Sequence, residues 1–166
     1  HNLLVIVDGA SARAGTPSNE ENALNPGELS VDRVLTDVLT IARRIGAKRM
    51  VIDSIPAMAF QMESEHAIRK AILRMDQILS RSGMTSIITT ELPEQSMKEG
   101  TLYFSKYGVE EYVADGVILL SSINLGNQVA RTIYIRKMRG TKHDMNIHPV
   151  EIGETGLTVK KIGSLG

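Results

Sequence analysis

The sequence predicts an α/β protein, with a mostly parallel sheet flanked by helices and antiparallel strands at the C-terminal end. Three observations carry this. Up to Thr90, short apolar runs alternate with segments of helical period, the pattern of βαβ units. One run, Arg49-Met-Val-Ile-Asp53-Ser54, ends abruptly in an acid and a hydroxyl. Beyond Gly116, strand-like segments follow one another with no helix between them, which closes a sheet with antiparallel neighbours.

Taken in order, Leu3 to Val7 reads as a buried strand with a turn at Asp8-Gly9. Residues 9–28 hold almost no large apolar side chains and read as a long loop. Ser30 is a helix N-cap. Val31, Val34, Leu35, Val38, Leu39, Ala42 and Ile45 then recur at three and four, and Gly46 ends that helix. The strand over 49–53 is a short apolar run, expected to be buried on both faces beneath helices. Ser64 caps a second helix with Ala67, Ile68, Ala71, Ile72, Met75, Ile78 and Leu79 on its inner stripe, and Gly83 stops it. Met84 to Thr90 is β-branched and strand-like. A polar loop covers 91–108, and strands are expected over 116–120 and 130–138. Residues 147–152 and 156–162 read as a closing pair joined by a tight turn.

Composition narrows the function. A chain of 166 residues fits one domain, and 42% hydrophobic with 23% charged content is that of an ordinary globular protein. Nineteen basic residues balance nineteen acidic ones, which argues against a nucleic-acid coat or an acidic tail. Cysteine is absent, so disulfides and thiolate metal sites are excluded, in keeping with a reducing, cytoplasmic setting. No apolar run has the length of a membrane span, and no signal peptide is visible. The chain opens on His1 and enters a strand almost at once, which reads as the middle of a longer polypeptide.

Two stretches carry candidate chemistry. Asp53 is placed at the carboxyl end of a central strand, where open α/β sheets bind ligands. In a nucleotide-hydrolysing protein an Asp there organises Mg²⁺, usually through water; the alternative is an Asp that caps a helix. Thr89, Thr90 and Glu91 end the next strand. If the two strands are adjacent, these hydroxyls lie beside Asp53 and can orient a water or touch a terminal phosphate; the alternative is threonine's common use at strand ends. The second stretch is Lys137-Met-Arg139-Gly140-Thr141-Lys142-His143. Alternate strand residues share a face, so Ile133, Ile135, Lys137 and Arg139 point one way. Gly140 then permits a sharp turn that curls Thr141 and His143 beside them. Two cations, a hydroxyl and an imidazole suit a polyphosphate; the alternative is a solvated basic hairpin tip. The four histidines show no metal-ligand spacing.

In this order, Val51-Ile-Asp-Ser54, Thr89-Thr-Glu91, Lys106-Tyr-Gly-Val-Glu-Glu-Tyr-Val-Ala-Asp-Gly-Val-Ile-Leu-Leu120 and Lys137-Met-Arg-Gly-Thr-Lys-His143 resemble the KaiC domain over essentially the whole chain. The resemblance implies a RecA-like P-loop NTPase core that assembles into hexameric rings, with ATP held between neighbouring subunits. It implies that Asp53 is the Walker B residue holding Mg²⁺ through water, with Ser54 as a nucleotide contact. Thr89, Thr90 and Glu91 complete the implied catalytic group. Lys137, Arg139, Thr141 and His143 would reach the ATP of the neighbouring subunit, with the cations in the arginine-finger role.

The chain departs from that family in two ways. It holds no Gly-x-x-x-x-Gly-Lys-[Ser/Thr], the loop that cradles the β- and γ-phosphates, and the family's catalytic glutamates would also precede His1. The expectation is a partial domain, 1–166, that lacks its phosphate-loop segment, binds ATP very weakly alone and does not hydrolyse it. Apolar surface left bare should drive self-association. Where the family's autokinase domain carries an adjacent Ser-Thr pair, this chain has Glu111-Tyr112, so the ATPase-only domain is the better analogue. Two other readings stand beside this one. In a DNA-handling RecA/RadA-type ATPase, the 91–108 loop would face the nucleic acid. Here that loop sets Glu91, Glu94 and Glu99 against Lys98 and Lys106, a poor track for phosphates, so nucleic acid is not expected as a partner. The other reading is a non-catalytic RecA-like scaffold.

Overall fold

The computed structural model describes residues 4–16, 22–24, 30–59, 62–92, 104–126 and 128–160. They fall into two compact units, His1–Val113 and Ala114–Gly166.

The first unit contains α1 (Ala10–Ala14), α2 (Val31–Arg44), β1 (Arg49–Ile52), α3 (Ile55–Ala59), α4 (Glu65–Ser80), β2 (Thr85–Ile88) and α5 (Glu110–Val113). α2 begins where the Ser30 hydroxyl accepts the Arg33 N–H, and α4 where the Ser64 hydroxyl accepts that of Ala67. Gly46 and Gly83 follow them at φ +65° and +73°, the left-handed conformation that stops a helix at no steric cost. α2 buries Val31, Leu35, Leu39 and Ala42 on one stripe, and α4 buries Ile72, Met75 and Leu79. These stripes form one core with Met50 of β1, Ile55 and Ala59 of α3, and Tyr107. Leu35 is only 1% exposed; burying such a side chain contributes about 1.5–3 kcal/mol. Arg74 and Asp32 join α4 to α2 at 2.8 Å, but both side chains are more than half exposed, so the pair adds about 1 kcal/mol at most. β1 and β2 are parallel neighbours, paired from Arg49↔Thr85 to Ile52↔Ile88.

Four expectations meet a different local structure. Residues 4–7 join no ladder, and the chain makes there only a single parallel bridge, Asp8↔Ala23. Leu4 and Ile6 are 76% and 78% exposed. A strand needs a neighbour to satisfy its amides, and the described residues offer none beside Leu4–Val7. β1 is covered on one face rather than both: Met50 lies in the core while Val51 is 65% exposed, and Ile87 of β2 is 60% exposed. The helices α2 and α4 supply a single layer. The loop expected over 9–28 contains α1, started where the Asp8 carboxylate accepts the Ala10 N–H at 2.9 Å. α3 is a further element that the sequence pattern does not predict; Pro56 sits in its first turn, where its missing N–H costs nothing. Residues 93–103, most of the 91–108 loop, lie outside the described residues, as do 17–21, 25–29 and 161–162.

The second unit is a four-stranded antiparallel meander of β3 (Gly116–Leu125), β4 (Gln128–Met138), β5 (His148–Gly153) and β6 (Gly156–Val159). β3 and β4 pair from Gly116↔Met138 to Leu125↔Gln128, but Val117 faces Lys137 and Ile118 faces Ile135, so Arg136 is the extra residue of a bulge in β4. Alternation breaks there, and Lys137 does not share the face of Ile133 and Ile135 as strict strand period predicts. β3 runs five residues past the apolar segment that marks it in sequence. Cross-strand bonding carries the polar part, including Ser121 and Thr132 hydroxyls 2.7 Å apart. Thr132 and Val150 are buried, and Lys160 pairs with Glu151 at 3.0 Å.

Candidate functional site

In the first unit the parallel register gathers the residues around Asp53. Ile52 and Ile88 are paired at the strand ends. The Thr89 N–H donates to the Ile52 carbonyl and the Ile55 N–H donates to the Thr89 carbonyl, both at 3.0 Å. The next residue of each chain is therefore held at the same edge. The Thr89 hydroxyl donates to Oδ1 of Asp53 at 2.5 Å, a charge-assisted bond that orients the carboxylate. The Asp53–Ser54 peptide bond is cis, and Ser54 is half-buried beside the exposed Asp53. The Thr90 hydroxyl is buried with no hydrogen-bond partner among the described residues. Such an orphan is costly unless a water or ligand satisfies it. Glu91 lies further out, with Oε2 3.6 Å from Nζ of Lys106.

Among the described residues no three acids or histidines cluster as a metal cage. One exposed carboxylate with hydroxyls beside it is the donor set Mg²⁺ uses when waters and phosphates complete its octahedron. The residues fit that ion.

In the second unit, Lys137 faces Val117 near the end of β4, and Gly140 turns the chain at φ +65°. Arg139 is tied to Asp115 twice: its N–H donates to the Asp115 carbonyl at 2.8 Å, and Nη1 lies 3.2 Å from Oδ1. Nδ1 of His143 is 3.2 Å from the Thr141 carbonyl, while Nε2 is buried without a partner among the described residues. Arg139, Thr141 and Lys142 are exposed. The turn closes on Asp144, whose carboxyl is held below its usual range by the Asn146 N–H and then by His148. Lys137, Arg139, Thr141 and His143 thus come within one strand end and its turn, and Asp53, Thr89, Thr90 and Glu91 within one sheet edge. The sequence places Asp115 and Lys106 in the 106–120 block but gives neither a role at a site. Asp115 becomes visible only once the β3–β4 register returns it to Arg139.

A parallel strand pair with an acid at its carboxyl edge, covered by helices, together with an antiparallel closing sheet, defines an α/β protein of the RecA-like class. A solved KaiC-like protein from the archaeon Pyrococcus horikoshii OT3 superimposes with a TM-score of 0.73 at 35% identity, covering 90% of this chain and 64% of that one. The chain belongs to the KaiC ATPase family, whose model matches residues 1–164. It is 31% identical over 164 residues to the circadian clock oscillator protein KaiC of Prochlorococcus marinus, covering 99% of this chain and 30% of that protein. It is also 31% identical over 139 residues to the circadian clock protein KaiC2 of Synechocystis, covering 84% and 23%. The chain thus spans under a third of these curated relatives. No helix among the described residues is long and apolar enough to cross a membrane.

Proposed function

We propose that this chain supplies the magnesium-side acid and a cationic prong of an ATP hydrolysis site shared between neighbouring copies. The phosphate loop then comes from sequence outside these 166 residues, in the complete polypeptide. The observation that carries this reading is the Thr89–Asp53 hydrogen bond at the carboxyl edge of a parallel strand pair. That edge is where RecA-like sheets present an acid to nucleotide. Asp53 would hold Mg²⁺ through water, and the ion would neutralise charge on the β- and γ-phosphate oxygens. Thr89 keeps the carboxylate aimed, and the Thr90 hydroxyl, which has no partner among the described residues, would hold a water or a phosphate oxygen. Ser54 adds a nucleotide contact. Lys137, Arg139, Thr141 and His143 address the ATP of the next copy, where a cation offsets charge on the transferring phosphoryl group.

Two measurements test this. In a phosphate-release assay the 166-residue chain should show no ATP turnover, because it lacks the N–H cradle and its lysine, while the complete polypeptide turns over. Turnover by the short chain would overturn the division of labour. With saturating ATP the complete polypeptide should also sediment as a ring of six; a species that stays monomeric would remove the shared site.

A further inference from the structure

We propose that Lys106 is a further phosphate-binding residue of the Asp53 site, held in reserve by Glu91 and set in place by Glu110. The proposal rests on the nucleotide reading above. Its foundation is a buried carboxylate. Glu110 is 9% exposed. Its two oxygens accept the backbone N–H groups of Lys106 at 3.1 Å, Tyr107 at 3.0 and 3.2 Å, and Val109 at 3.1 Å. A carboxylate receiving three amides holds that turn firmly. Nε of Arg69 on α4 donates to the Tyr107 carbonyl at 2.7 Å, and the Tyr107 ring is buried in the core. The backbone at 106–109 is therefore anchored to α4 and to the hydrophobic centre of its unit.

From this base Lys106 extends toward the end of β2. Its Nζ lies 3.6 Å from Glu91 and 5.8 Å from the centroid of the Tyr107 ring. Glu91 follows Thr89 by two residues, so it branches from the backbone within about 7 Å of the residue bonded to Asp53. A polyphosphate chain bridges such a gap. The ion pair itself is weak: the Glu91 side chain is 74% exposed and that of Lys106 35%, and exposed pairs contribute little. A phosphate oxygen offers the ammonium a stronger charge-assisted bond than a solvated carboxylate does. Glu91 keeps the lysine aligned at the site until phosphate displaces it.

The test is ATP affinity of the complete polypeptide by isothermal titration calorimetry. Lys106→Met should raise the ATP Kd on the order of tenfold, and Lys106→Arg should retain most of the affinity. Glu91→Gln should tighten binding, because the competing charge is gone. Glu110→Gln should weaken ATP binding, and adding it to Lys106→Met should cost nothing more. If Glu110→Gln fails to fold by circular dichroism, the two Lys106 variants decide alone. An unchanged Kd in Lys106→Met overturns the proposal. A wild-type polypeptide that binds no ATP instead removes the nucleotide reading beneath it, so the two failures are distinguishable.

Discussion

Replacing Arg139 by alanine in the complete polypeptide should lower ATP turnover by roughly a thousandfold, the low end of what a trans arginine contributes to phosphoryl transfer. ATP affinity should change far less, because the guanidinium acts on charge that develops during transfer. Arg139 stands at the end of β4, with its backbone fixed by the Asp115 carbonyl and its side chain on an exposed ion pair with the same residue. Such a pair is worth about 1 kcal/mol or less, so a neighbour's phosphate can take the guanidinium at little cost. Mixing Arg139→Ala subunits with Asp53→Asn subunits separates trans from cis. In a mixed ring, some interfaces then pair an intact Asp53 with an intact Arg139, and activity returns in part. If turnover of the Arg139→Ala protein equals that of the wild type, the prong has no catalytic role.

Asp53→Asn should reduce turnover by about 10–100-fold, the usual cost of losing a group that positions a metal through its outer shell. Binding of ATP without Mg²⁺ should be little changed, and the Mg²⁺ concentration for half-maximal rate should rise. The amide is isosteric and still accepts the Thr89 hydroxyl, whose bond to Oδ1 is 2.5 Å in the native chain. The loss then reports charge rather than packing. Wild-type turnover with unchanged Mg²⁺ dependence in the Asp53→Asn protein would leave the acid as a structural cap only.

Much of the architecture could be read from the chain before any coordinates. The helices from Ser30 and Ser64 start at the residue after their capping hydroxyl and stop two and three residues before Gly46 and Gly83, because a hydroxyl N-cap and a following glycine act locally. Strands form inside the 49–53 and 84–90 segments, over Arg49–Ile52 and Thr85–Ile88, and the closing pair forms as its turn residues require. What sequence missed depended on partners. The Leu3–Val7 segment has a strand's composition, but its described residues have no neighbour to pair with. Val51 and Ile87 have the composition of a strand covered on both faces, but one helical layer covers only one face. α3 is too short to show a period.

By itself, then, the sequence determined an Asp at a strand end, a pair of threonines after the next strand, and a cationic turn after the long strand near the C-terminus. Those features are local, written in a few consecutive residues each. Only the tertiary structure decided that Thr89 bonds Asp53, that Asp115 holds Arg139, and that Glu110 and Arg69 anchor Lys106 opposite Glu91. Each joins residues set apart by strand register or chain return, and register is settled by burying one face of the whole sheet rather than by any short motif.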